Sequence, residues 1–314
     1  MRILVYGAGV LGGNLANNFY RKGKDVTLLA RGEWGDTIRK NGLIINHQYS
    51  LKKDVSQIPV IGELSPEDIY DVIFVVVRYT QLDSVIDVLN ANGTRNIVLV
   101  GNNVRADYYA ECLKGKNVMF AFSLLAGHRD KNQIVSMDFK RITIGQRKQD
   151  ESNEKLINEI FSDMGYKVVY EPNMEDYLLC HAAFVIPAAF ACYYTKGNLK
   201  RIRKTDSYLH KLITANIEGY RAIEKAGHEI LPKSDVNYED DKYRQKCFWF
   251  FKIICFTNLG KICASDHAMS ATDEMSALNR DLKLFFEQNK ASYRVWKSLE
   301  EHTNGYLEGV QDKK

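Results

Sequence analysis

The sequence predicts an α/β fold, with an N-terminal doubly wound, Rossmann-type sheet and an all-α C-terminal domain. Three observations in the 314 residues predict it. A glycine turn, Gly7-Ala8-Gly9-Val10-Leu11-Gly12, stands directly behind the apolar run Ile3-Leu4-Val5-Tyr6. Short β-rich runs then alternate with helical patterns to about residue 170. From Met174 onward strand signals vanish and long helical patterns take over. The expected division is residues 1–170 and 171–314, a length that suits two domains.

Composition sets outer bounds. The chain is 45% hydrophobic and 26% charged, as in ordinary globular proteins. A formal net charge of +4 makes no case for a nucleic-acid partner. No charged segment precedes the first strand, and the apolar run from Ala182 to Tyr194 holds a proline and is too short for a bilayer. The expectation is a cytoplasmic protein with no membrane partner. Cys112, Cys180, Cys192, Cys247, Cys255 and Cys263 form no CxxC pair and mostly sit among apolar neighbours, so buried free thiols are expected, without metal or disulfide.

The first strand, turn and helix read as a dinucleotide cradle. Gly7 makes the tight turn, Gly9 lets the backbone approach a diphosphate, and Gly12 lets the helix pack close on the strand. The N–H groups of the turn, including those of Val10 and Leu11, open the helix that would hold the diphosphate. The alternative is a glycine turn with no ligand. Val26 to Ala30 forms the second strand, and Arg31 follows where NAD sites usually carry an acidic residue. A guanidinium binds a 2′-phosphate that a carboxylate would repel, so NADP(H) is the expected cofactor. The alternative for Arg31 is a solvated surface residue.

Leu43–Asn46 and Gln57–Val60 are short strands, and Asp71–Val77 is a near-continuous apolar run suited to a strand buried on both faces. It ends at Arg78, and a helical pattern runs from Gln81 to Leu89. Asn96–Val100 is the next strand, followed by Gly101 and Asn102. Ligands bind at the carboxyl ends of such strands, which places Arg78 and Asn102 beside cofactor or substrate. A surface arginine and a turn-forming asparagine are the alternatives. Asn117–Ser123 and Arg141–Gly145 continue the β character, with His128-Arg129-Asp130 in an intervening loop.

In the second half, Tyr177–Tyr194 is apolar almost all round and so a buried helix, which Pro187 should kink or interrupt. Leu199–Lys204 is a basic, solvated helix face, and a helix from Asp206 to Ala226 ends at the C-cap Gly227. Ser234–Gln245 reads as a loop before Cys247-Phe248-Trp249-Phe250-Phe251, a helix for the core or for a homodimer interface. Helices over Glu274–Phe286 and Ala291–Leu307 close the domain, ahead of the polar tail Asp312-Lys313-Lys314.

This combination resembles the ketopantoate reductase (2-dehydropantoate 2-reductase) family. The motifs are Gly7–Gly12 with Arg31, Arg78-Tyr79-Thr80-Gln81, Asn102, His128-Arg129-Asp130, Asp266, and Glu274 through Asn279. The resemblance implies an NADPH-dependent reductase of a small 2-oxo acid with its active site between a Rossmann and a helical domain. It implies that Arg31 contacts the 2′-phosphate, Arg78 replaces a lysine beside the cofactor, and Asn102 lies near nicotinamide and substrate. It further implies that Glu274 binds the substrate hydroxyl, with Ser276 and Asn279 on the substrate side. The family's active-site lysine lies nine residues before a proline. Counting back from Pro187 puts Leu178 in that slot, with Ala182 and Ile186 where asparagines are usual and Ser276 in place of an aspartate.

Reduction of a ketone needs a group to stabilise and protonate the alkoxide, which leucine cannot do. His181 shares a helix face with Leu178 and is the candidate proton donor, oriented by Glu274. Burial would lower its pKa and a carboxylate would raise it. A hydrogen-bonded structural histidine is the alternative. A non-catalytic NADP(H)-binding sensor on the same fold, or a hydroxyacid or opine-type dehydrogenase, are the competing functional readings.

Overall fold

The structure is a computed structural model and describes residues 1–50, 52–146, 151–257 and 260–307. The polar tail at Asp312–Lys314 and the side chain of Cys263 lie outside that description. The chain divides into two compact units, Met1–Gly101 with Arg105–Glu175, and Asn102–Val104 with Asp176–Lys314. The α/β class, with a helical second half, is as expected.

In the first unit, β1 (Arg2–Tyr6), β2 (Asp25–Leu29), β5 (Val60–Ile61), β6 (Val72–Val75), β7 (Asn96–Val100) and β8 (Asn117–Asp130) form a parallel run in the order β5-β2-β1-β6-β7-β8. The chain leaves β1 for β2 on one side and later returns to β6 on the other, so ligand-binding loops gather where β1 ends. All four residues of β6 are buried, which its β-branched composition suits. Helix α1 (Val10–Arg21) covers one face, and Phe19, Phe74 and Phe161 meet there with ring centroids 5.4 to 6.1 Å apart.

The expected loop at His128-Arg129-Asp130 is strand. β8 runs on to Asp130 and pairs with antiparallel β9 (Gln133–Gly145), Arg129 lying opposite Ile134. These polar residues hide the strand from a hydrophobicity pattern, while the ladder with β9 fixes it. The far half of β9 also pairs in parallel with β3 (Leu43–His47), which pairs with β4 (Lys53–Ser56), and β10 (Lys167–Tyr170) joins the near half of β9.

The second unit is helical among its described residues: α6 (Met174–Tyr194), α7 (Asp206–Lys225), α8 (Asp241–Phe256), α9 (Asp266–Ser270), α10 (Thr272–Gln288) and α11 (Arg294–Glu300), joined by short turns and, before α9, one π-helical turn. α6 continues through Pro187 without the interruption that proline can cause. It starts three residues before Tyr177 and is long and apolar enough to cross a membrane by composition. Two-thirds of that apolar window is buried inside the fold, which is the pattern of a core helix. Helix α7 ends in a Schellman arrangement: Gly227, at φ +89°, donates to Glu224, and His228 donates to Ile223. The Glu218 carboxylate of α7 accepts the Val295 and Trp296 backbone N–H groups at 3.1 and 2.9 Å, satisfying the first turn of α11.

Three local expectations change. Leu199–Arg201 is a 3-10 turn rather than part of a regular helix. The charged segment before Cys247 becomes helical at Asp241, capped by Asp240, because acidic residues suit a helix N-terminus. The aromatic stretch on α8 is only partly core, since Phe251 is buried whereas Trp249, Phe250, Ile253 and Phe256 are exposed on this chain.

Candidate functional site

Each unit carries its own cluster of the expected residues. In the first, Gly7 has φ +117°, and a Cβ there would stand 2.3 Å from the Val76 carbonyl oxygen. A Cβ on Gly12 would stand 2.0 Å from the Gly7 carbonyl oxygen, so α1 can approach β1 and β6 only with glycine at that position. Gly9 is different: a Cβ there would meet nothing within 4 Å. The backbone of the turn is packed tightly from beneath and open above. Gly9 caps α1, no acidic residue occupies the first turn, and Val10 and Leu11 open the helix. Such an arrangement can hold an anion on backbone N–H groups.

Arg31 caps α2 (Gly32–Asn41), and its guanidinium donates to the Tyr6 hydroxyl while lying over the Tyr6 ring. The helix can start that close to β2 because a Cβ on Gly35 would stand 2.4 Å from the Ala30 carbonyl oxygen. One turn into α2, Trp34 donates its indole N–H to the Ala8 carbonyl at 2.7 Å. Arg129 from the hairpin stacks on the Trp34 ring at 5.1 Å. Trp34 thus ties the glycine turn to α2, a role that sequence reading missed. Its position three residues after Arg31 is the only signal the sequence offers.

β6 and β7 end beside β1 in parallel register, Val75 pairing with both Tyr6 and Leu99. Arg78 follows β6 and is exposed, capping a short turn whose Gln81 side chain accepts the Arg78 backbone N–H at 3.1 Å. Asn102 follows β7 after Gly101, which has φ +137°. The Asn102 Oδ1 is buried with no hydrogen-bond partner. Such an atom is costly unless something supplies a donor.

The second unit holds a cavity of about 330 Å³ lined by α6, α7, α8 and the segment after α7. His181 forms part of its wall together with Tyr177 and Phe184 of the same helix. The His181 ring stacks nearly parallel on Tyr177 with centroids 6.3 Å apart. Burial lowers the His181 pKa to about 4, and the charge of His267 pushes the same way. The sequence left that sign open; desolvation by the surrounding helices decides it.

The remaining expected residues lie on α10. Glu274 is buried in its first turn, and its charge acts on the buried Tyr193. The Ser276 hydroxyl donates to the Leu307 carbonyl at 3.3 Å. Asn279 donates to Glu300 at 2.6 Å and accepts the Trp296 indole N–H at 2.8 Å, which joins α10 to α11. These bonds give Asn279 a packing role that needs no ligand. Leu178, in the lysine slot of the resemblance, is buried. The cavity itself was not foreseen, because its lining comes from four separate stretches.

Comparison with known proteins places the first unit. Residues 3–149 match the family described as Ketopantoate reductase PanE/ApbA. An 87-residue stretch is 33% identical to uncharacterized oxidoreductase YkpB of Bacillus subtilis (strain 168), and this alignment spans 28% of either protein. Among solved structures, D-mandelate dehydrogenase with NADH and anilino(oxo)acetate superimposes with a TM-score of 0.80 at 15% identity over 98% of both chains. A 2-dehydropantoate 2-reductase from Geobacter metallireducens GS-15 gives a TM-score of 0.80 at 16% identity over 99% of this chain and 100% of its own. A dimeric ketopantoate reductase from Staphylococcus aureus gives 0.75 at 13%, over 98% and 99%. At such identities these structures establish a shared fold. The similarity to the ketopantoate reductase PanE/ApbA family covers residues 3–149, the stretch that holds the glycine turn and Arg31.

Proposed function

We propose that this chain is an NADP(H)-dependent reductase of a small 2-oxo acid, similar in reaction to 2-dehydropantoate 2-reductase. One observation carries the reading. Where β1 ends, Gly7 and Gly12 leave no room for a side chain, Gly9 is open, and Arg31, between β2 and α2, offers a guanidinium rather than a carboxylate. The orphaned Asn102 Oδ1 adds an acceptor for a carboxamide or hydroxyl at the neighbouring strand end. These groups fit a dinucleotide phosphate. The D-mandelate dehydrogenase that shares the fold was solved with NADH and anilino(oxo)acetate, which supports the same class of chemistry.

When bound, the reduced nicotinamide supplies the hydride for a ketone carbon. The chain supplies the rest. The α1 N–H groups would hold the diphosphate and Arg31 the 2′-phosphate, with Arg78 and Asn102 available to the nicotinamide end. Converting C=O to CH–OH takes one hydride and one proton, with negative charge building on the oxygen between them. With a pKa near 4, His181 is neutral at pH 7 and would stabilise that oxygen as a hydrogen-bond donor, the proton itself coming from water. Glu274 orients the substrate hydroxyl, while Ser276 and Asn279 hold α10 in place. A cytoplasmic location and a homodimer built on the exposed face of α8 belong to the same reading.

The test is NADPH oxidation on addition of a panel of 2-oxo acids, 2-dehydropantoate among them. Turnover with formation of the hydroxy acid supports the reading. An unchanged rate for His181→Ala would remove the histidine from it. Tight NADPH binding with no oxidation would favour the second reading, a non-catalytic NADP(H) sensor. The observation behind that alternative is Leu178, a buried alkyl group where the resemblance expects lysine.

A further inference from the structure

The glycine turn is met from two sides. On one, Arg129 stands opposite Ile134 in the β8–β9 ladder. A Cβ on Gly13, one turn into α1, would stand 2.4 Å from the Ile134 Cδ1, so the hairpin is seated on the start of that helix. On the other side, Gly35 donates to the Arg31 carbonyl at 3.3 Å, which closes the first turn of α2 and sets Trp34 about one turn on from Arg31. The Trp34 indole N–H reaches the Ala8 carbonyl at 2.7 Å, and the Arg129 guanidinium lies 5.1 Å from the centroid of the same ring. Ala8 and Gly13 bracket the turn, so both supports bring Arg129 beside it.

The two guanidiniums near the turn are also unneutralised. Arg2, Arg21, Arg39 and Arg105 of the same unit each meet an aspartate. Arg31 and Arg129 form no ion pair among the described residues and are held by the rings of Tyr6 and Trp34 instead. Glu33 and Asp130, beside them in sequence, are exposed and pair with neither. An aromatic face grips a guanidinium through its flat side and leaves its N–H edge free to donate. A phosphate monoester carries about −1.5 to −2 charge at pH 7 and three acceptor oxygens. That is more than one bidentate fork engages.

We propose that Arg129 is a second determinant of cofactor choice, forming with Arg31 a two-guanidinium clamp for the 2′-phosphate, and that Trp34 is the positioning residue between them. The inference rests on the NADP(H) reading and extends it to the distant hairpin. Trp34 serves both cations. Its N–H fixes α2, and so Arg31, against the turn, while its face carries Arg129.

Calorimetry of the full chain with NADPH and with NADH reads the clamp without turnover. Arg129→Ala should weaken NADPH binding by about tenfold, the worth of charge-assisted hydrogen bonds, with little effect on NADH. Arg129→Lys keeps the charge but not the fork, and should fall between Arg129→Ala and the parent. Trp34→Leu should lower the NADPH-to-NADH affinity ratio, and adding Arg129→Ala to it should lower that ratio little further. Thermal unfolding checks that each variant is folded; if Trp34→Leu is not, the two Arg129 variants decide alone. A ratio unmoved in Arg129→Ala, or both cofactors weakened alike, overturns the inference. If Arg31→Ala still lowers the ratio in that case, the NADP(H) reading stands without the clamp. A parent chain that binds neither cofactor, or both equally, removes the reading and the clamp together.

Discussion

His181 should make the helical unit acid-sensitive in a way that can be isolated. Its pKa is lowered from 6.5 to about 4, chiefly by burial. As pH falls through 6.5 the unfolded chain takes up a proton that the folded unit refuses until about pH 4. Stability therefore decreases across that window, and the loss attributable to this one group is about 2 kcal/mol at pH 5 and about 3 kcal/mol at pH 4. His181→Phe removes the group while keeping an aromatic ring against Tyr177. In a Trp34→Phe background the remaining tryptophans, Trp249 and Trp296, both report on the helical unit. Urea unfolding by fluorescence at pH 7 and pH 5 then gives the comparison. The variant should lose about 2 kcal/mol less than its parent between those two values. Equal losses, or a parent that gains stability relative to the variant on acidification, would refute the reasoning, since the latter marks a histidine held charged. The same result bears on chemistry. A neutral donor leaves the rate free of a His181 titration between pH 5 and 8, whereas an imidazolium acid of pKa 4 would lose about tenfold per pH unit.

Arg31→Ala should weaken NADPH binding by about 10- to 100-fold, the worth of charge-assisted hydrogen bonds, with little effect on NADH; calorimetry of both cofactors checks the ratio. Asp54 is buried, which raises its pKa, but hydrogen bonds with His47 and Asn17 and the charge of Arg21 bring the net value below 3.8. Its contribution is therefore complete above its ordinary pKa and lost as pH falls below it, so acid unfolding of the first unit below about pH 4 should be blunted in Asp54→Asn. Trp249 is 63% and Ile253 58% exposed on the same helix, and Trp249→Glu with Ile253→Glu should shift a dimer to monomer in sedimentation equilibrium. An unshifted species would remove α8 as the interface.

The glycine turn was legible because its backbone demands are absolute: no other residue fits at Gly7 or Gly12. β6 was legible for the opposite reason, as Val72 to Val75 are all apolar and all buried. Helix α2 was not read, because Gly32-Glu33-Trp34-Gly35 looks like a loop; its helicity comes from Trp34 and Ile38 packing and from the close approach at Gly35. Asn279 shows the limit of motif reasoning. Its position suggested a substrate ligand, yet its amide holds Trp296 and Glu300, partners that lie some twenty residues on and are invisible to local spacing. The same non-locality hid the cavity, which exists only once α6, α7 and α8 have packed.

The long hairpin strand β9 has a consequence for biosynthesis. β3 and β4 leave the ribosome early, but Ile45 finds its parallel neighbour only when Ile134 arrives, and the ladder closes at Gly145. Throughout that interval β3 has one unpaired edge, the kind of surface on which strands from other chains assemble. Chains stopped between the two partners should accumulate as aggregates, and those released after Gly145 should not.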